Sequence, residues 1–189
     1  MAKIPNIEFE SFPKISRLKR QIVITEKIDG TNAQVFISDD GDVFAGSRSR
    51  WITPEDDNFG FAAWVRDNAE QLRELGAGRH YGEWWGSGIQ RAYGYRGGER
   101  FFSLFNTSRW TDGRRPKCCS VVPVLYFGEF TTNAVDGALV DLAMNGSKAA
   151  PGFMNPEGVV VFHSAANLCF KRTIKKDDEP KTLADRQAF

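Results

Sequence analysis

The period of apolar positions changes several times along the chain, and each change marks an element. From Gln21 the segment QIVITEK is apolar and β-branched, and NAQVFIS and DVFAGS flank Asp39-Asp40-Gly41-Asp42, the pattern of a strand followed by a hairpin. Over 59–75 the spacing lengthens: Phe61, Trp64, Val65, Ala69, Leu72 and Leu75 recur near helical intervals and Gly76 offers a stop, which predicts one amphipathic helix lying on a sheet. HYGEWWG and RFFSLF then return to short aromatic strands, and SVVPVLYFGEF reads as an edge or interrupted strand because Pro123 has no amide to donate. A second helix is predicted over about 133–144, with Asn133 as cap, Val135, Leu139 and Leu142 on one side and Gly146 as stop. GVVVF and NLCFKR form a hairpin across HSAA, and the polar IKKDDEPKTLADRQAF reads as a frayed end. With no internal repeat and no boundary composition, the expected fold class is α+β: mixed or antiparallel sheets flanked by a few helices.

Composition sharpens this picture in two respects. Hydrophobic residues make up 41% and aromatics 13%, with 15 Phe and 5 Trp, so the core should be aromatic-rich. No apolar run is long enough to span a membrane and MAKIPNIEFE lacks the apolar stretch of a secretory leader, so the expectation is a cytoplasmic protein without membrane association. Cys118, Cys119 and Cys169 are odd in number and form no CxxC pair, which points to reduced, packed thiols rather than a disulfide or zinc framework. His80 and His163 fall on strands and read as packed or surface residues.

Net charge is only +1, which argues against a general polyanion binder, but the charge is unevenly spread. Arg91, Arg96, Arg100, Arg109, Arg114, Arg115 and Lys117 are interleaved with Tyr93, Tyr95, Phe101, Phe102, Phe105 and Trp110, against two acidic residues, Glu99 and Asp112. Such a stretch could hold phosphates and stack on bases; a solvated Arg/Gly loop is the plainer reading.

The segment that carries chemistry is Glu26-Lys27-Ile28-Asp29-Gly30-Thr31-Asn32. A lysine leaving a strand beside an acid and a glycine is placed for close approach to phosphate, and desolvation or neighbouring cations make part of it a neutral amine nucleophile. Alone, Lys-x-Asp-Gly is weak, since Asp-Gly is also a common turn.

Further along, the sequence resembles the covalent nucleotidyltransferase superfamily of ATP-dependent ligases and capping enzymes, and more closely its RNA ligase 2-like family. EKIDGTN is similar to motif I, AGSRSR to motif Ia with Arg48, YGEWWGSGIQ to motif III with Glu83, FSLFNT to motif IIIa with Phe105, PEGVVVF to motif IV with Glu157 and LCFKR to motif V with Lys171. Each piece is weak by itself; their common order over residues 21–171 is specific.

The resemblance implies an ATP-grasp-like ligase catalytic domain over 1–175 with a polar tail over 176–189 and no additional OB or helical domain. It implies an ATP-dependent RNA ligase in which Lys27 forms a lysyl-AMP phosphoramidate, AMP passes to a 5′-phosphate, and a 3′-hydroxyl displaces it. Lys27, Lys171 and Glu157 are the implied catalytic residues, with Glu157 holding Mg2+ or Mn2+. Glu26, Asn32, Arg48, Glu83, Phe105, Lys171 and Lys175 are the implied ATP-binding set: Glu26 toward the adenine amino group, Glu83 toward the ribose, Phe105 stacked on the base, Arg48 toward phosphate or the ribose edge, and Asn32 and the lysines beside the phosphates. The implied partners are RNA ends, including a nicked duplex, and an accessory protein or domain.

The pattern departs from the family at motif V, where Thr173 stands in place of a second lysine; Lys175, by alternation along the strand, or Arg172 could substitute. Plainer readings stay open: Glu83 as an ordinary strand-end carboxylate, Phe105 as core, Glu157 as a turn residue, Arg48 as exposed hairpin charge with Arg50 its rival. The alternative functions are a DNA ligase, a GTP-using capping enzyme, or a nucleic-acid-binding module without turnover.

Overall fold

The computed structural model describes residues 7–175, so the tail expected beyond them lies outside the described residues. Ten strands form two sheets. Sheet A, in the order β10-β9-β1-β8, joins β1 (Gln21–Lys27), β8 (Val124–Glu129), β9 (Gly158–His163) and β10 (Leu168–Thr173), all antiparallel. Sheet B, in the order β4-β3-β2-β5-β6-β7, joins β2 (Thr31–Ile37), β3 (Val43–Ser47), β4 (Trp51–Ile52), β5 (Gly78–Gly86), β6 (Arg100–Leu104) and β7 (Cys119–Val121). All its pairings are antiparallel except β6 with β7, which is parallel. The α+β expectation with mixed and antiparallel sheets is thus met.

Alternation along each strand separates a packed face from an open one. In sheet B, Ala33, Val35, Ile37, Ala45, Ile52, Trp84, Phe102 and Leu104 point to one face and pack under the helical segment, where Phe61, Ala62, Val65, Leu72 and Leu75 close an aromatic-rich core. In sheet A, Ile22, Ile24, Val159 and Val161 pack against Leu142 of α3 (Thr132–Asn145). A third cluster of Ile28, Trp85, Tyr93, Val122 and Ala150 fills the junction where the two sheets meet. The chain crosses between the sheets twice there, at Ile28–Gly30 and at Val122–Pro123. Pro123 therefore interrupts a strand as its chemistry requires: β7 ends in one sheet, β8 begins at the edge of the other, and the Pro123 carbonyl accepts from the Glu26 amide at 2.9 Å.

Three expectations need correction. The helix predicted over 59–75 is broken into α1 (Phe61–Asp67), α2 (Ala69–Leu72) and a 3-10 turn (Arg73–Leu75). Asn68 causes the first break: its side-chain amide donates to the Trp64 carbonyl at 2.8 Å, competing with helical pairing, while Gly76 at φ 78° ends the run as expected. The cap of α3 is Thr131, whose hydroxyl accepts from the Ala134 amide at 3.0 Å, and not Asn133. Of the three thiols, Cys119 is buried and Cys118 half-buried, but Cys169 is exposed on an outer strand, so packing does not hold for it.

The cap makes a direct test. Thr131→Ala should lower unfolding free energy by about 1 kcal/mol and Asn133→Ala by a few tenths, read from urea midpoints; equal losses would return the cap to Asn133.

Candidate active site

The nucleophile candidate sits where β1 leaves sheet A. Alternation turns Val23, Thr25 and Lys27 to the open face and Ile22, Ile24 and Glu26 to the packed one. Pairing of Lys27 with Gly158 across β1 and β9 brings Glu157 beside it, and Lys27 Nζ lies 2.6 Å from Glu157 Oε2 with both side chains largely buried. Residues separated by 130 positions thus become ion-paired through strand register.

Two residues later the chain must enter sheet B in very little space. A Cβ on Gly30 would come within 2.4 Å of the Trp84 carbonyl oxygen, so only glycine fits the crossing. The Gly30 amide donates to Glu83 Oε1 at 3.0 Å, and Asn32 Nδ2 donates to Glu83 Oε2 at 2.9 Å. Burial pushes the Glu83 carboxyl up to about 7, against the pull of Lys27, the Gly30 amide and Asn32; the Glu157 carboxylate adds to the rise. Two carboxyls therefore share one ammonium.

On sheet B the register Asn32↔Glu83↔Ser103 fixes which side chains share this face. Phe105, two residues past Ser103, joins it and is 41% exposed, which removes the core-packing reading for Phe105. Arg48, just beyond β3, lines the same cleft beside Asn32, Tyr81 and Phe105. Its rival Arg50 is instead paired with Asp56. Across the gap, the pairing Lys171↔Val160↔Thr25 puts Lys171 on the open face of sheet A. The result is a cleft of about 900 Å³ between the sheets, lined by Lys27, Asn32, Arg48, Glu83, Phe105 and Lys171 among others.

Several predicted roles meet a different geometry. Glu26 is fully buried, and its oxygens take three donors from the loop after α3: Ser147 Oγ at 2.6 Å and the Lys148 and Ala149 amides at 2.7 and 2.9 Å. It anchors that loop. Lys175 does not continue the strand face of Lys171, because β10 ends at Thr173, whose hydroxyl donates to the Lys175 carbonyl; the Lys175 ammonium reaches Asn155 Oδ1 at 3.3 Å. Arg172 pairs with Asp136 of α3 on the packed side of sheet A and does not reach round to the cleft. Thr173, in contrast, stands in register with Gly158 and Lys27, on the row of Lys27.

The basic stretch 91–117 is mostly structural. Arg100 donates to the Ser87 and Phe59 carbonyls, Arg109 to Leu75, and Arg115 to Asp112 and Cys119, while Tyr93, Phe102 and Trp110 are core. His80 and His163 are buried with ring nitrogens against the Gly76 and Leu18 carbonyls, and burial lowers the His80 pKa.

Sequence reasoning missed one clamp. Arg91 donates to Asp29 Oδ2 at 2.7 Å and to the Asn155 and Pro156 carbonyls at 3.0 and 3.2 Å, tying the Lys27 turn to the residues that precede Glu157. Tyr93 completes it by accepting from the Asp29 amide at 2.8 Å. In the sequence Arg91 was marked only as the first residue of the basic stretch 91–117.

A divalent metal can be judged from the donors present. No group of three or more His, Cys, Asp or Glu side chains gathers among the described residues, so an all-protein cage is absent there. One or two carboxylates completed by water and phosphate are what magnesium or manganese accepts, and Glu157 fits that mode with Glu83 facing the same ammonium.

Comparison with known proteins places the fold and the family. Solved structures with the same fold include a mutant apo form of Naegleria gruberi RNA ligase, at TM-score 0.59 and 21% identity, covering 84% of this chain and 50% of that one. They also include a mutant of that ligase with ATP and Mn, at TM-score 0.55 and 21% identity over 82% of this chain and 50% of that one. An archaeal ATP-dependent RNA ligase aligns at TM-score 0.58 and 19% identity, covering 87% of this chain and 48% of that one. The chain spans about half the length of these structures. Against curated proteins the sequence finds no match. The fold is thus one that these RNA ligase structures share. Residues 20–176 match the model of the RNA ligase family, and the chain belongs to that family. No helix among the described residues is long and apolar enough to cross a membrane.

Two measurements test the site. The folded Glu83 carboxyl keeps its proton from pH 4.5 up to about 7, where the unfolded one has lost it. The folded state then binds the extra proton, so stability falls as pH rises through that window; relative to Glu83→Gln, wild type should lose about 3 kcal/mol across it. Parallel pH profiles for the two proteins would reject the assignment. Arg91→Ala should cost about 2 kcal/mol by stranding the Asp29 carboxylate, with Arg91→Lys recovering less than half because an ammonium has no fork; full rescue by lysine would show that charge alone matters.

Proposed function

We propose that this chain carries the nucleotidyl-transfer chemistry of an ATP-dependent RNA ligase, with Lys27 as the residue that takes AMP. The observation that supports it most is Lys27 Nζ held 2.6 Å from Glu157 in a cleft lined by Glu83, Arg48, Phe105 and Lys171. Nζ attacks the α-phosphate of ATP, the N–P bond forms as the bond to pyrophosphate breaks, and the ammonium proton has Glu157 Oε2 as its facing acceptor. The AMP then passes to an RNA 5′-phosphate, freeing Nζ, and a 3′-hydroxyl attacks that phosphate and displaces AMP.

The roles follow from position. Lys171 and Arg48 face the phosphates across the cleft, where negative charge builds on the transferred group. Phe105 offers an exposed ring to the adenine, and Asn32 and Glu83 form a hydrogen-bonded pair suited to the ribose hydroxyls. Glu26 contributes through the 147–149 loop that it fixes behind the nucleophile. Thr173 gives the second motif V position a hydroxyl in place of an ammonium, which leaves Lys171 as the strand's cation on the cleft face. When bound, a divalent magnesium or manganese ion held by Glu157 would neutralise phosphate oxygens. The substrates on this reading are RNA 5′-phosphate and 3′-hydroxyl ends, a nicked duplex among them, in the cytoplasm, with an accessory protein or domain helping to hold them.

The test is incubation with α-labelled ATP or GTP and magnesium or manganese. Wild type should retain label from ATP but not GTP, Lys27→Ala should retain none, and Lys171→Ala should slow labelling by on the order of 100-fold or more. Label from GTP would move the reading to a capping-type enzyme; label on Lys27→Ala, or none on wild type, would end it.

A further inference from the structure

Sheet B has a second feature beyond the cleft. Its open face continues away from Glu83 in rows set by register: Asn32 and Glu83, then Gln34, Gly46 and Tyr81, then Phe36, Phe44 and Arg79. Trp51 of β4, opposite Gly46, has its ring centroid 5.9 Å from Phe36 and 6.3 Å from Phe44. The Arg79 guanidinium lies 5.1 Å from the centroids of both Phe36 and Trp51 and is steadied by Gln34 at 2.9 Å.

These rings are not hidden. Tyr81 is 54% exposed, Trp51 49% and Phe44 46%, although Ala45, Ile52, His80 and Trp84 on the other face of the same strands are buried. Cross-strand aromatic pairing alone would stabilise the sheet, but it does not need several half-exposed rings around one arginine. The face is also continuous with the cleft, since Arg79 and Tyr81 line both. Among the strand residues that share it, Glu83 at the cleft end is the only acid, and Asp56 beside β4 is paired with Arg50. Charge and surface chemistry therefore match a polyanion that carries flat rings.

We propose that the open face of β2–β5 is a stacking platform for single-stranded RNA, holding the nucleotides next to the end that reacts in the cleft. Rows two residues apart on a strand are about 6.6 Å apart, close to the reach of one nucleotide in an extended strand, so the rows from Tyr81 to Phe44 hold bases in succession away from the cleft. Trp51, Phe44 and Tyr81 supply faces for stacking, and Arg79 supplies charge to the phosphates. This rests on the ligase reading, because it takes the cleft to be where the RNA end lies.

Trp51→Ala and Phe44→Ala test it, since both rings are largely at the surface; thermal melting checks that the variants are folded. The readouts are fluorescence anisotropy with a labelled, 5′-phosphorylated single-stranded oligoribonucleotide and, separately, Lys27 labelling from ATP. Each variant should bind the RNA about 5- to 100-fold more weakly while taking label at the wild-type rate. RNA affinity within twofold of wild type in both variants, or no measurable RNA binding by wild type, would overturn the platform. So would variants that keep their RNA affinity but change sedimentation, since the face would then be a contact between copies of the chain. Failure of labelling in wild type would count against the ligase reading alone, because the platform is judged on RNA affinity.

Discussion

The contact on which the rest of the site depends is the clasp of Glu83 on the Gly30 amide and the Asn32 side chain. The chain leaves sheet A at Lys27 and is paired in sheet B by Thr31, so three residues carry it across. That is too short for slack, and Gly30 runs so close to the Trp84 carbonyl that a side chain is impossible. Glu83 satisfies the amide at the tightest point of the crossing, where an unpaired buried N–H would cost heavily. The same carboxyl belongs to β5, one of the two middle strands of sheet B, so the clasp fixes the Lys27 turn to the interior of that sheet. Arg91 does the corresponding task on the other side, holding Asp29 against the chain that leads to Glu157.

This arrangement sets the electrostatics. Glu83 and Glu157 both face Lys27, in a cleft where burial already disfavours the charge of Glu83. On the proposed reading, a phosphate entering the cleft would compete with Glu157 for the ammonium, and a divalent cation would compete with the ammonium for Glu157.

How much of this was legible in the sequence follows from whether the signal was local. Strands with clean alternation, such as QIVITEK and NAQVFIS, and stops such as Gly76 and Gly146 were readable because their causes lie within a few residues. Pro123 announced an interruption, but not that its two halves would enter different sheets. The break at Asn68 was missed since apolar spacing continues through it, and the Thr131 cap was missed because Asn133 lies close by and is chemically as suitable. In the basic stretch, composition gave the charge of Arg100, Arg109 and Arg115 but not the carbonyls they satisfy, which belong to residues distant in sequence. Motif resemblance brought Lys27 and Glu157 to attention; the register of β1 and β9 explains why they meet, and the end of β10 at Thr173 explains why Lys175 does not join them.

Alternation also separates what holds the domain together from what it presents. Along β2, Ala33, Val35 and Ile37 enter the core while Asn32, Gln34 and Phe36 face outward; along β5, Trp84 is packed while Arg79, Tyr81 and Glu83 share the outward rows. Side chains on the outward rows can change without opening cavities in the aromatic core, whose substitution would cost several kcal/mol. A sheet that needed only to be covered on one side would be expected to set polar residues on the other, as antiparallel sheets commonly do. Here the outward positions nearest the cleft are polar and those farther along are aromatic, with Arg79 between Phe36 and Trp51. On the proposed reading, that order, from hydrogen-bonding groups at the cleft to stacking surface beyond it, is the order in which a nucleotide and then its neighbours would need to be held.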